Sequence, residues 1–238
     1  MKLLILALAA MAALSLAGCQ KASDEVFGQR VRAYLLSHPE VIQEAAEKLQ
    51  EKQQAEAIKA ATAGLKTYRK QLEGDARDYV ANPTGSITVV EFFDYNCGYC
   101  KLAAPEVVKL IAENPDVRFV FKEFPIFGGD SNTAAEVILS ASAKPRSLEL
   151  YRAFMTAKPL DGAAIDRILR EHGVDPAAAR AEGKAAAVQK QIADVHELAT
   201  ALRIEGTPAF VVGDRIIPGA DMEALKLAIA QARAAKAT

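Results

Sequence analysis

The stretch Phe92-Phe93-Asp94-Tyr95-Asn96-Cys97-Gly98-Tyr99-Cys100 constrains this chain more than any other, because an apolar strand runs there straight into a two-cysteine turn and a helix. Ile87 to Phe93 is β-branched and aromatic, the pattern of a central strand buried on both faces. Two thiols separated by two residues fall within one helical turn and can close a small disulfide with little backbone movement. If Cys97 opens the helix, its sulfur faces unpaired N–H groups and the positive end of the helix dipole, which favours the thiolate. Cys97 is then the nucleophile and a good leaving group, and Cys100, one turn further in, is the buried thiol that resolves mixed disulfides. A plain stabilising disulfide or half of a zinc site competes with this reading. However, a bond across so small a loop restricts the unfolded chain little, and no two further zinc ligands stand at suitable spacing.

Glu91 is an acid embedded in that apolar strand, six residues before Cys97. Buried there, it would exchange a proton with Cys100 as that thiol changes state, with its pKa raised by desolvation. At the strand rim it would simply be solvated. Far downstream, Gly206-Thr207-Pro208 leads into a strand from Ala209 to Val212, and a proline at a strand start costs no ladder bond.

With both segments in view, the chain resembles the thioredoxin superfamily: strand, CxxC, helix and, roughly a hundred residues later, Gly-Thr-Pro before a β-hairpin. The resemblance implies that Pro208 is cis and packs against the disulfide. It also implies that Thr207 and Pro208 dock substrate backbone, with Gly98 and Tyr99 on the same substrate-binding surface, and that Glu91 holds the place of the superfamily's strand acid.

The rest of the chain is organised around this pair of segments. Val117 to Phe121 supplies a second strand, giving a βαβ unit with a parallel pair, and Lys122 to Gly128 reads as a loop. Helical sequence follows from about residue 130 to 203; Gly213-Asp214 then turns a hairpin, and Asp221 caps a terminal helix. The expected class is α/β, a thioredoxin-like fold with a helical insertion, over residues 84–238.

Residues 19–83 read as a helical stalk that precedes it. A short helix covers Val26 to Leu36, Ser37-His38-Pro39-Glu40 reads as a capping box, and a second helix continues to about Leu72 with Gly74 as its stop. Leu35, Ile42, Ala45 and Leu49 fit one heptad frame and Ile58, Ala61, Leu65, Tyr68 and Leu72 another, with Lys52-Gln53-Gln54 breaking the seam. Two frames with a polar interruption point to a homo-oligomerisation stalk with a hinge. The alternatives are an amphipathic helix folded back on its own catalytic domain and a solvated spacer from the membrane.

Residues 1–18 read as a secretion signal, with Lys2 as the positive end and Leu3 to Leu16 as an apolar stretch too short to span a bilayer. Leu16-Ala17-Gly18-Cys19 looks like a lipobox, which makes Cys19 a lipidation site. Gln20 after it favours the outer membrane by resemblance to sorted lipoproteins, and cleavage without lipidation would leave a soluble periplasmic protein. Without Cys19, the cysteines reduce to Cys97 and Cys100 in an oxidising compartment. A net charge of -1 gives no reason to expect a nucleic-acid partner.

The segments Val31 to Val41, Val90 to Lys101 and Lys122-Glu123-Phe124-Pro125 together resemble the ScsC-like branch of the DsbA family. The resemblance implies thiol-disulfide exchange on unfolded or misoxidised secreted proteins, needing no cofactor beyond a redox-active Cys97–Cys100 disulfide, with a membrane thiol reductase or oxidase as redox partner. Gly98-Tyr99 in place of Pro-His and Thr207 before the proline favour isomerase or reductase over dithiol oxidase. A Cu(I)-binding copper-tolerance protein is the rival of another class, since two thiolates suit that ion.

Overall fold

The structure, a computed structural model, describes residues 25–237. The signal and Cys19 lie outside the described residues. The chain divides into two compact units, with the boundary between Ile58 and Lys59.

In the first unit, helix α1 covers residues 25–37, and α2, Glu40–Thr67, begins after a short turn. The expected capping box does not form: the Ser37 hydroxyl donates backward to the carbonyls of Ala33 and Tyr34 at 3.0 and 2.9 Å, closing α1 rather than opening α2. Val26, Phe27, Val31, Tyr34, Leu36, Ile42 and Leu49 are all exposed. Among the described residues no helix is long and apolar enough to cross a membrane.

The second unit holds a five-stranded sheet in the order β1-β3-β2-β4-β5. Its strands are β1 Tyr79–Ala81, β2 Ile87–Phe93, β3 Val117–Glu123, β4 Ala209–Val212 and β5 Arg215–Pro218. β2 and β3 are parallel, and every other pairing is antiparallel. The crossover between them is α4, Gly98–Glu113, which runs on through Pro105. Between β3 and β4 come α5 Gly129–Ile138, α6 Ser147–Thr156, α7 Gly162–Glu171, α8 Pro176–Gly183 and α9 Ala186–Ala201; α10, Met222–Ala237, closes the chain.

Two features depart from the expected plan. β1 lies in the segment 19–83 assigned to the helical stalk, beyond the expected helix stop at Gly74, so the sheet starts before Asn82-Pro83 and the compact unit starts at Lys59 rather than near residue 84. Three residues, Tyr-Val-Ala, are too short to display a strand period against a charged background. Lys122 and Glu123 also extend β3 where a loop was expected.

Both faces of the sheet are covered, which is why its central strands read as nearly unbroken apolar runs. On one face Val89, Phe93, Phe119, Phe121 and Phe210 pack with α4, α6, α7 and α10. On the other, Val90, Phe92, Val120 and Val211 meet Val195, Leu198 and Ala199 of α9 together with Leu65 and Leu72. Leu65 and Leu72 are fully buried, and Tyr68 packs against them. The second heptad frame is thus used inside this unit, whereas Ile42 and Leu49 of the first stay open. The side chains of Ile58 and Ala61 are not among those described. The second helix also breaks at Tyr68, and a short α3, Arg69–Glu73, ends at Gly74.

Candidate functional site

Cys97 is the N-cap of α4, with extended backbone (φ -71°, ψ 121°), and its sulfur accepts the Cys100 N–H at 3.4 Å. The strand-to-helix turn creates this geometry locally, because the Asp94 carbonyl accepts the Cys97 N–H while Asp94 Oδ1 accepts the Asn96 N–H at 2.7 Å. From the far side, the Thr207 carbonyl accepts the Cys97 thiol at 3.1 Å, and the Thr207–Pro208 peptide is cis. β4 follows that peptide and pairs with β2, bringing a loop 110 positions away against the CxxC turn. Gly98 and Tyr99 are exposed, and a Cβ at Gly98 would meet nothing within 4 Å, so this flank of Cys97 is open.

The two thiols are electrostatic opposites. Cys97 is lowered from the ordinary thiol value to about 5, chiefly because the Cys100 thiol hydrogen-bonds to its thiolate; Thr207 and the N–H groups of Cys100 and Tyr99 add to this against the cost of burial. Burial, and then the same bond seen from its donor end, push Cys100 far up, so it stays a thiol. Cys97 is lowered in this way with no imidazole between the cysteines. Thr207 Oγ1 is buried without a partner, a hydroxyl positioned to turn to the sulfur once Cys97 ionises. The thiolate is therefore present above about pH 5 and lost as pH falls through that value. Thr207→Val is expected to move this midpoint up by about one unit, the worth of one charge-assisted bond, as read from ultraviolet thiolate absorbance against pH.

Glu91 lies in the middle of the sheet, flanked by Phe121 and Phe210, not at its rim. It is 1% exposed, and both its oxygens accept from the Tyr151 hydroxyl, at 3.1 and 3.2 Å. Burial raises it to about 8, and its charge acts on Cys100. The enclosure is aromatic: Phe93 and Phe121 meet the Tyr151 ring edge-on at 5.2 and 5.0 Å between centroids.

The structure adds residues that the sequence did not single out. Tyr151 comes from the helical insertion, and a second acid–tyrosine pair joins Tyr95 to Glu123 at 2.9 Å, where burial pushes the Glu123 carboxyl well above the usual carboxylate range. Asp94 is a buried node whose oxygens also accept the N–H groups of Ile126 and Phe127 and the Ser131 hydroxyl, at 2.7, 3.0 and 2.7 Å. Its place next to the cysteine turn, in an otherwise apolar run, was the available signal. On the opposite sheet face Lys122 and Asp78 form an ion pair, each side chain 1% exposed. Among the described residues, no group of three or more His, Cys, Asp and Glu side chains stands together as a metal site.

A parallel strand pair bridged by the helix that carries both thiols, interrupted after β3 by five helices and completed by an antiparallel hairpin, is a thioredoxin-like architecture with a helical insertion. Residues 88–230 match the DSBA-like thioredoxin domain and residues 25–56 the copper resistance protein ScsC N-terminal domain, so the chain belongs to the DsbA family, in its ScsC-like branch. A thioredoxin-like oxidoreductase from Silicibacter pomeroyi is 38% identical, with a TM-score of 0.66 over 69% of this chain and 97% of that one. Proteus mirabilis ScsC in a transitional conformation is 30% identical, with a TM-score of 0.64 over 90% of this chain and 98% of that one. The thiol:disulfide interchange protein DsbA of Bordetella pertussis is 31% identical over 138 residues, 55% of this chain. The chain spans less than two thirds of the length of the curated relatives it first matches, 65% for that DsbA.

Proposed function

We propose that this chain carries out thiol-disulfide exchange on secreted proteins in the periplasm, with Cys97 as nucleophile, Cys100 as resolving thiol and Glu91 as proton acceptor, and that it runs chiefly as an isomerase or reductase. The observation that carries the reading is the asymmetry of the two thiols: Cys97 caps α4 beside the exposed Gly98-Tyr99 flank and its sulfur accepts the Cys100 N–H, whereas Cys100 is fully buried one turn further in, and their pKa values move in opposite directions accordingly. The Cys97 thiolate attacks a client disulfide, one S–S bond forms, one breaks, and the displaced client sulfur leaves as a thiolate. If that sulfur attacks elsewhere in the client and frees Cys97, the disulfide has moved with no net electron transfer. If Cys100 attacks Cys97 instead, its proton passes to the Glu91 carboxylate, and the products are a reduced client and an oxidised Cys97–Cys100 pair.

Thr207 and the Gly98-Tyr99 dipeptide support the isomerase direction, as does the apolar set Val26, Val31, Ile42 and Leu49, surface that a homo-oligomer would bury. A second reading, dithiol oxidase, is favoured by the low Cys97 value itself, since a stabilised thiolate makes the disulfide form more oxidising. Anchoring through a lipid on Cys19 and a membrane thiol reductase as partner belong to the same proposal.

Recovery of a scrambled, fully oxidised test protein with a trace of reductant tests the direction. The chain from residue 20 should restore activity. Cys97→Ser should abolish the recovery, and deletion of residues 25–58 should reduce it about tenfold or more if client capture needs several sites held together. Rapid oxidation of a reduced substrate with no rescue of the scrambled one would establish the oxidase instead.

A further inference from the structure

Beside α4, one turn along from Cys97, lies a cleft of about 420 Å³ whose charged lining is entirely cationic: Lys101, Arg152 and Lys158, over a floor that includes Val108 and Met155. The Lys101 ammonium is anchored, donating to the carbonyls of Phe154 and Ala157 at the C-terminal end of α6, at 3.1 and 2.6 Å. Those two carbonyls carry only partial charge. Burial and the nearby Lys158 lower the Lys101 pKa against an opposing pull from Asp94 and Cys100, and among the described residues no carboxylate forms an ion pair with its ammonium. Among the described residues neither Arg152 nor Lys158 has an ion-pair partner, and both are exposed. The acids on the far side of Arg152 are engaged elsewhere, Glu149 with Arg146 at 3.2 Å and Glu171 with Arg167 at 2.8 Å.

We infer that this cleft is a client subsite for acidic side chains, selecting extended segments that carry aspartate or glutamate close to the reacting cysteine. The inference rests on the exchange reading, since it is attachment at Cys97 that brings a client segment to the cleft. One turn of α4 spans about 5.4 Å and an extended chain about 3.3 Å per residue, so the nearest cleft cation is reached about two residues from the client cysteine. Three cations without an ion-pair partner around an open cleft raise the local concentration of anionic segments, an effect that weakens with salt.

The test uses two disulfide-bonded peptides, one with aspartates two and three residues on either side of its cysteine, the other with lysines there. At low salt the acidic peptide should react with reduced protein about fivefold faster, and the double variant Arg152→Glu, Lys158→Glu should abolish or reverse that preference. The Cys97 thiolate midpoint of the variant reports that the active site is intact. Equal rates for the two peptides, or a preference that survives in the variant, would overturn the subsite. Serine versions of the peptides, titrated by fluorescence, separate this from the exchange reading. Selective binding of the acidic serine peptide without any exchange by the cysteine peptides keeps the subsite and sinks the exchange reading, and selective binding by neither serine peptide together with equal exchange rates does the reverse.

Discussion

Asp78→Ala is expected to destabilise the fold by about 3–5 kcal/mol, read from urea unfolding near neutral pH. The Lys122 ammonium sits on the face of the sheet covered by α3 and α9, its side chain 1% exposed, with Asp78 and the Gln71 carbonyl as acceptors. Asp78 in turn accepts from Gln191 Nε2 at 3.2 Å. Removing the carboxylate leaves a buried cation with the Gln71 carbonyl as its remaining acceptor, so it must lose its proton or draw in water. Truncating both partners leaves no such charge, so Asp78→Ala with Lys122→Met should recover most of the loss. A single-variant cost below about 1 kcal/mol would mean that solvent already reaches the pair. Asp78 lies in the residues just before Asn82-Pro83, so the expected loss of about 3–5 kcal/mol, the usual cost of breaking a buried ion pair, would show that this stretch is integral to the sheet-bearing unit.

Glu91→Gln should act in the opposite sense on stability while slowing exchange. The carboxyl ionises near 4.5 when free and near 8 when buried, so the unfolded chain gives up its proton first as pH rises. The fold bears no penalty from this group below pH 4.5, a growing one between 4.5 and 8, and a constant one above. The glutamine variant, whose amide oxygen still accepts from Tyr151, should therefore be more stable by on the order of 3–5 kcal/mol at pH 8 and equal to the wild type near pH 4. An amide cannot take the Cys100 proton, so resolution of mixed disulfides should fall by roughly a hundredfold, the usual range for losing a positioned proton acceptor. Equal unfolding curves at pH 8 would mean that water reaches the carboxyl; greater stability with an unchanged rate would remove Glu91 from the reaction and leave it a buried acid.

The parts of this site that were legible in the sequence are those encoded locally. A strand running into a thiol at a helix start declares its own geometry, and Glu91 stood out because strands of this kind rarely carry an acid. Tyr151 could not be found in that way, since its hydroxyl meets Glu91 only after a helix sixty positions later folds across the sheet. Lys122 was read with the loop that follows it because two consecutive polar residues interrupt the apolar run, yet each side chain finds a partner on its own face, Lys122 in Asp78 and Glu123 in the Tyr95 hydroxyl. The heptad reading divided α2 at Lys52-Gln53-Gln54 but gave both halves the same role in a stalk. Apolar residues at helical spacing look the same whether they face a sheet, as Leu65 does, or stay open, as Ile42 does.

Asp94 holds the Ile126-Phe127 segment by its main-chain N–H groups, and the two side chains themselves are 38% and 57% exposed. A surface built this way is like type set in a fixed frame: the frame stays, and the letters can be exchanged. Residues 126 and 127 are therefore places where exposed side chains can be exchanged without disturbing the cysteine turn anchored by the same carboxylate.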